Sequence, residues 1–118
     1  MAKEIKTIDY DSDNDIFFIS DGEKVKASLD VGDFVLDVNH ENMISGIEVQ
    51  DASENLGIDK GVLENIKSMK MSVSYKTNNV YVLLMISFNN SEKDVNVQIP
   101  LTLDLGHKVP QKEMLVYN

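Results

Sequence analysis

Val80-Tyr-Val-Leu-Leu-Met-Ile-Ser-Phe88 contains eight apolar residues among nine, and no apolar run in the chain is longer. Because the run is rich in β-branched and aromatic residues, it predicts a strand with both faces covered rather than a buried helix. Asn78-Asn79 comes directly before it, and asparagine tolerates the positive φ of a two-residue hairpin turn. The stretch therefore predicts the second strand of a central β-hairpin.

A pairing of Thr77 with Val80 sets the register expected for this hairpin. The second face of the strand then carries Tyr81, Leu83 and Met85, which form a protein-binding surface if no helix covers them. The other face of the hairpin is apolar in both strands, and a one-residue slip would destroy this match, so the pattern fixes the register. The expected pairs on that face are Tyr75 opposite Val82, Val73 opposite Leu84, and Met71 opposite Ile86.

Shorter apolar segments predict further strands, separated by turns rich in Asp, Asn, Ser and Gly. Gly46 lies inside one of them, which indicates a bulge or a close backbone approach. Residues 95–105 alternate apolar and polar without error, as a half-buried strand does. Pro100 lacks an N–H and places this strand at a sheet edge. The other predicted strands are 4–8, 16–19, 25–29, 34–38 and 43–49.

One helix of about ten residues is expected after Asp59, which fits an N-cap. Its apolar residues recur at the spacing of one helical face: Val62, Leu63, Ile66 and Met69. A shorter helical turn is expected over Asp51–Asn55, ended by Gly57.

Together these segments predict an α+β protein, a mostly antiparallel β meander with about eight strands and one main helix packed on the sheet. The length suits a single domain over residues 1–118. Its C-terminal part is a hairpin and edge strand over 70–105, followed by a tail at 106–118 in which Met114–Tyr117 can dock.

The composition limits location and partners. The chain has no cysteine, and charged residues occupy its first positions where a signal peptide needs an apolar core, so a cytoplasmic location is expected. No apolar run is long enough to span a bilayer. The net charge is −9 with scattered lysines and no arginine, which disfavours nucleic acid and favours a basic protein partner.

Two motifs resemble a widespread microbial family of proteins of unknown function. The first is Tyr10-Asp11 with Asp15 and an apolar strand through Ile19; the second is Gly46-Ile47-Glu48-Val49 with Asp51-Ala52-Ser53. The resemblance covers roughly residues 8–57, with Phe17-Phe18 where the family usually has Leu-Tyr. It implies a compact β-rich domain, no established enzymatic activity, and in some members a gene next to one for a small toxin-like protein.

Four alternating carboxylates, Asp9, Asp11, Asp13 and Asp15, form the first acidic turn. Alternating acids are what Ca²⁺ or another divalent cation requires, but the glycine and the final acid of an EF-hand loop are missing here. Two interpretations stay open, a looser cation site and a solvated hairpin turn.

Catalytic patterns are absent. The two histidines, His40 and His107, fall in a predicted turn and in the tail, with no metal-ligand or triad spacing, and no glycine-rich phosphate loop occurs. The sequence therefore predicts a non-enzymatic protein-interaction module without a cofactor, forming a homo-oligomer and binding a basic partner. The alternative is a divalent-cation or small-ligand binding protein that uses the turn at 9–15.

Overall fold

The computed structural model describes residues 2–89, 91 and 93–102. These residues form two antiparallel sheets and two short helices. The nine strands are β1 (Lys3–Glu4), β2 (Thr7–Asp11), β3 (Ile16–Ser20), β4 (Val25–Val31), β5 (Phe34–Asn39), β6 (Ile44–Val49), β7 (Ile66–Tyr75), β8 (Asn79–Phe88) and β9 (Val95–Thr102). The helices α1 (Ala52–Leu56) and α2 (Lys60–Leu63) both lie between β6 and β7.

The five-stranded sheet has the order β2-β3-β6-β5-β4. It is built from two hairpins, with β6 inserted between them. The β2–β3 hairpin ends with Asp11 opposite Ile16, and the β4–β5 hairpin ends with Val31 opposite Phe34. The first turn has four residues, 12–15, and the second has two, of which Gly32 supplies a positive φ of 62°.

The strands predicted at 16–19, 25–29, 34–38 and 43–49 are present as β3 to β6. The predicted strand at 4–8 is wrong, because the chain leaves one sheet after Glu4 and enters the other at Thr7, and the predicted turn at 9–15 is shorter because β2 continues to Asp11. The insertion of β6 departs from a simple meander, and the structure has nine strands among the described residues rather than about eight.

The four-stranded sheet has the order β1-β7-β8-β9, so the predicted central hairpin is present and the apolar run lies between two long strands. The predicted register of the central hairpin is wrong by two residues. Tyr75 pairs with Val80, and the backbone N–H of Lys76 donates to the Asn79 carbonyl. Asn79 thus belongs to β8 rather than to the turn. A slip of two preserves the side-chain alternation, so each residue keeps its predicted face.

The prediction that both faces of β8 are covered is also wrong. The even-numbered residues from Val80 to Phe88 are buried, whereas Tyr81 is 47% exposed and Leu83 and Met85 are half-buried. Antiparallel sheets commonly have one solvated face, and an apolar run does not distinguish that case from full burial.

The prediction of one helix of about ten residues after Asp59 is also wrong. Asp59 does occupy the N-cap position of α2, but the helix ends at Leu63, and Ile66 and Met69 lie in β7. Their 3.6-residue spacing in the sequence is compatible with either structure, and pairing with β8 decides for the strand. The short turn predicted at 51–55 is α1, which Gly57 ends with a φ of 68°.

The N-terminal segment joins the two sheets. The backbone N–H of Ile5 donates to the Met69 carbonyl of one sheet, and the next N–H, of Lys6, donates to the Ser20 carbonyl of the other. Buried residues from both sheets and both helices form one hydrophobic core. The Tyr75 hydroxyl crosses that core and accepts the backbone N–H of Ile44 at 2.8 Å. Each sheet therefore turns its second face away from the other.

Within the described residues β9 is an edge strand, as Pro100 predicted. Val97, Ile99 and Leu101 are buried in agreement with the alternation, and the strand ends at Thr102. The predicted continuation to residue 105, the tail at 106–118 and the docking of 114–117 lie outside the described residues. Neither helix in the described part of the chain has the length and hydropathy needed to cross a bilayer.

Candidate protein-interaction surfaces

Asp15 connects the two motifs that resemble the family of unknown function. Its Oδ1 accepts the Tyr10 hydroxyl at 2.7 Å and the Ser53 backbone N–H at 3.0 Å, and its Oδ2 accepts the Ser53 hydroxyl at 2.7 Å. The carbonyl of Asp15 also accepts the N–H of Ala52 at 2.9 Å. One residue at the end of the first hairpin therefore satisfies the first donors of α1.

This arrangement replaces an ordinary helix cap. Asp51 holds the N-cap position with a φ of 46°, but its side chain makes no capping bond. Asp15 has a φ of 55°, a conformation that Asp adopts more readily than most residues. The motif residues Tyr10, Asp15, Ala52 and Ser53 thus form one hydrogen-bonded junction between the first hairpin and α1.

The same junction shifts two pKa values in opposite directions. Hydrogen bonds from Ser53, and then from Tyr10, hold the pKa of Asp15 below its usual range. Burial, followed by the hydrogen bond to Asp15, raises the pKa of Tyr10 to about 12. At neutral pH Tyr10 is therefore a neutral donor, poorly suited to act as a catalytic base.

The second motif has packing roles. A Cβ added to Gly46 would stand 2.9 Å from the Ile19 carbonyl oxygen and 3.1 Å from the Asp37 carboxylate. The register also shifts next to Gly46, so the close approach and the bulge expected there are both present. Ile47 is fully buried in the core, while Glu48 points to the opposite face of the sheet.

The acidic turn is organised by its own backbone. The Asp11 carboxylate accepts the Asn14 side-chain amide and the backbone N–H groups of Asn14 and Asp13, and these bonds lower the Asp11 pKa. Asp9 lies on β2, Asp13 is exposed, and Asp15 bonds to Tyr10 and Ser53. No three acids or histidines among the described residues are grouped to hold a metal ion. The cation site stays a prediction, and this geometry gives it no support.

Sheet formation gathers carboxylates that are distant in the sequence. The outer face of the five-stranded sheet has a central row formed by Asp9, Phe18, Glu48, Val35 and Asp30, in that order. Phe18 and Val35 are half-buried on either side of Glu48. Among the residues of these five strands the one lysine is Lys26, at the β4 bulge, where its amino group bonds to Asn42. We call this surface the acidic face, with the carboxylates Asp9, Asp11, Asp30, Asp37 and Glu48.

The acidic face was missed from the sequence because its acids come from four strands. Their outward alternation was visible, but each acid taken alone fits a wet strand face or a turn. Only the strand order β2-β3-β6-β5-β4 makes them neighbours.

The predicted interface residues Tyr81, Leu83 and Met85 lie together on the outer face of the four-stranded sheet. Their neighbours across β7 are small or polar, and those across β9 are polar or proline. The rows are Ser74-Tyr81-Pro100, Ser72-Leu83-Gln98 and Lys70-Met85-Asn96. No residue of α1 or α2 lies in these rows, and Tyr81 remains 47% exposed.

The surface formed by the described residues includes two clefts. One, of about 580 Å³, lies between the N-terminal strands and β7 and is edged by Glu4, Lys6, Glu64 and Lys67. The other, of about 350 Å³, is mainly apolar and includes Val62, Phe88 and Val95. Neither contains a nucleophile beside a general base, and Tyr10 in the first cleft is the donor to Asp15 already described.

The residues of this junction lie in a segment that matches a known protein family. The model of the DUF2283 family, proteins of unknown function, matches residues 7–53, from the start of β2 to Ser53. A protein of Methanosarcina mazei is 33% identical over 89 residues, 75% of this chain and 72% of that protein. The chain belongs to the DUF2283 family. The expected family resemblance is thereby confirmed.

The relatives of this DUF2283 protein carry little functional information. The M. mazei relative is named a putative hypoxanthine phosphoribosyltransferase. An uncharacterized protein of Methanocaldococcus jannaschii is 36% identical over 61 residues, 50% of this chain and 53% of that protein. No solved structure matches the chain significantly. The family and the M. jannaschii protein give no sign of an enzymatic activity.

Proposed function

We propose that this DUF2283 protein is a non-enzymatic interaction module whose acidic face binds a basic protein. The observation that carries the proposal is the central row of that face, in which Glu48 lies between two half-buried apolar side chains and an Asp ends the row on either side. A solvated sheet face needs no apolar residues. A binding face benefits from them, because apolar contacts contribute affinity while charges select the partner.

Electrostatics support the choice of partner. The chain carries a net charge of −9, and the strands of the acidic face place five carboxylates against one lysine, Lys26, which is bonded to Asn42. Such a field accelerates association with a basic protein and repels nucleic acid and acidic proteins. A partner that offers Lys or Arg side chains around an apolar centre matches both features of the row.

The test is affinity capture from a lysate of the source cells, with the tagged protein as bait at low ionic strength. The face variant Asp9→Asn, Asp30→Asn, Glu48→Gln changes the net charge from −9 to −6. The control variant Glu23→Gln, Glu41→Gln, Glu54→Gln makes the same change at exposed positions outside the face. Both variants must first show the wild-type melting behaviour.

We expect wild type and control to retain one stoichiometric basic protein, and the face variant to lose it. Salt should release the partner, because screening weakens exposed charge pairs. Equal retention by the face variant would place binding elsewhere, and no basic protein in any eluate would overturn the proposal.

The name of the M. mazei relative suggests phosphoribosyl transfer as a competing function. Such a reaction must hold phosphate and diphosphate groups, for which proteins use arginines, glycine-rich loops and helix N-termini. This chain has no arginine, and its described positive-φ glycines, Gly22, Gly32 and Gly57, lie in three separate turns. Diphosphate release from 5-phosphoribosyl diphosphate and hypoxanthine, catalysed by the purified protein, would refute the non-enzymatic proposal.

A further inference from the structure

The outer face of the four-stranded sheet differs in charge from the rest of the molecule. We call it the neutral face, centred on Tyr81, Leu83 and Met85. The strand registers place Glu4 beside Lys70 on it. Lys76 lies at one end, beside Asn79, and at the other end Asp94 accepts the Ser87 hydroxyl at 2.9 Å. The charges that these registers and bonds place on the face are Glu4, Lys70, Lys76 and Asp94, two of each sign, and Lys67 is exposed at the bulge of β7.

The equal numbers of positive and negative charges favour some partners of the neutral face over others. Two copies of a chain with net charge −9 repel each other over most orientations. The neutral face allows contact without opposing carboxylates, and it exposes the largest apolar side chain of the sheet, Tyr81. A basic protein gains nothing electrostatically there, whereas it does at the acidic face.

The positions on the face are also self-complementary. Tyr81 and Met85 lie two residues on either side of Leu83, and the Lys76 and Asp94 ends lie beyond them in opposite directions. A two-fold axis that crosses the strands at Leu83 brings Leu83 onto its own copy and Tyr81 over Met85. The axis keeps each strand over its own copy, so Lys76 on the β7 side and Asp94 on the β9 side do not pair. Sulfur–aromatic contact between Tyr81 and Met85 favours this arrangement.

The size of the face predicts the strength of the contact. Three strands of eight to ten residues present about 30 Å by about 14 Å, roughly 400 Å² before side-chain relief is counted. Standard stable interfaces bury about 800 Å² per partner, so this one corresponds to a weak, concentration-dependent association.

We propose that the neutral face binds a second copy of the chain and forms a two-fold dimer through Tyr81, Leu83 and Met85. Because the outer faces of the two sheets point away from each other, the dimer carries its two acidic faces on its outside. It is then bivalent, which increases the avidity for a partner with repeated basic sites. The dimer itself does not depend on the proposed binding function.

Sedimentation velocity of the full chain, from about 10 μM to about 1 mM, tests the proposal. We expect the wild type to shift from monomer to dimer within this range. Because salt screens the net repulsion between the copies, added NaCl should strengthen the dimer, whereas it should weaken capture of a basic partner at the acidic face. The opposite salt dependence separates failure of this proposal from failure of the proposed function.

Two variants identify the face. Tyr81→Lys adds a charge at its centre, and Gln98→Lys adds one at an exposed position in the Leu83 row, so it supplies the test if Tyr81→Lys does not fold. Val25→Lys is the matched control, because Val25 is 46% exposed on the other sheet and receives the same charge. All three substitutions make the net charge of the chain less negative, which weakens the repulsion between two copies. On net charge alone, each variant would therefore associate more readily than the wild type.

We expect Tyr81→Lys and Gln98→Lys to stay monomeric with a native circular-dichroism spectrum, and Val25→Lys to dimerise like the wild type. A wild type that is monomeric at the highest concentration overturns the proposal. So does a folded Tyr81→Lys or Gln98→Lys protein that dimerises like Val25→Lys.

Discussion

The carboxylate of Asp15 accepts two hydrogen bonds from Ser53, one from the backbone N–H at 3.0 Å and one from the hydroxyl at 2.7 Å. The two residues are 38 positions apart, and the contact fastens the end of the first hairpin to the start of α1. Of the residues that carry the family resemblance, Asp15 and Ser53 thus have a structural role. A short α1, with no cap from its own Asp51, needs an acceptor from another part of the chain.

Replacing Asp15 with asparagine should lower the melting temperature clearly. Asparagine tolerates the φ of 55°, so the change leaves the backbone unstrained. Its amide has one acceptor oxygen instead of two and no charge, so the Tyr10 and Ser53 donors lose part of their partner. Asp13→Asn removes the same charge from the exposed part of the same turn and should melt like the wild type. Equal melting of all three proteins would show that the junction does not stabilise the fold.

The stability of the protein should fall at both ends of the pH scale for reasons located in this junction. The pKa of Asp15 is lowered by folding, so its stabilisation is present above the ordinary Asp pKa and is lost as pH falls through the folded value. The pKa of Tyr10 is raised to about 12, so its contribution is intact below about pH 10 and is lost as pH rises towards 12.

Urea unfolding between about pH 8 and about pH 11.5 isolates the tyrosine part of this prediction. The free energy of unfolding should decrease less steeply with pH in Tyr10→Phe than in the wild type, because the variant has no hydroxyl to titrate. Parallel curves would mean that Tyr10 titrates alike in the folded and unfolded chains.

Much of the fold was predictable because alternation and turn chemistry are local. The hairpin turns around Asp11–Asp15 and Gly32, the glycine end of α1 at Gly57 and the edge position of Pro100 all follow from single residues and their neighbours. The long helix failed because Ile66 and Met69 fit a helical face as well as a strand, and only pairing with β8 distinguishes the two. The same limit applies to the hairpin register, where a two-residue slip leaves the apolar pattern unchanged.

The two candidate surfaces also differ in how far the sequence could predict them. Tyr81, Leu83 and Met85 were predictable as a group because they alternate within one strand. The acidic face was not, because Asp9, Asp30 and Glu48 become neighbours only through the order of three different strands. The Asp15–Ser53 contact is likewise non-local, and no sequence spacing implies it.

Gly46→Ala should destabilise the protein by about 1–3 kcal/mol, the usual cost of overpacking. The new Cβ would stand 2.9 Å from the Ile19 carbonyl, a backbone atom that cannot move without disturbing β3. Gly61→Ala is the control, because a Cβ there meets nothing within 4 Å and Gly61 lies in α2. Helix propensity predicts that it stabilises by up to about 1 kcal/mol. The two free energies come from urea unfolding, and a Gly46→Ala protein as stable as the wild type would contradict the close packing of β3 and β6.

Pro100→Thr should make the protein prone to aggregate through the edge of the four-stranded sheet. Proline in an edge strand faces its nitrogen away from the neighbouring strand, so Pro100 removes a donor that β9 would otherwise offer to another chain. Threonine restores the donor and has a high strand propensity.

The control is Asn96→Thr, at an exposed position of the same strand, which raises the strand propensity without adding a backbone donor. Light scattering during incubation at high concentration should increase for Pro100→Thr alone. An equal increase for Asn96→Thr would assign the effect to strand propensity, and no increase for either would show that the proline does not protect this edge.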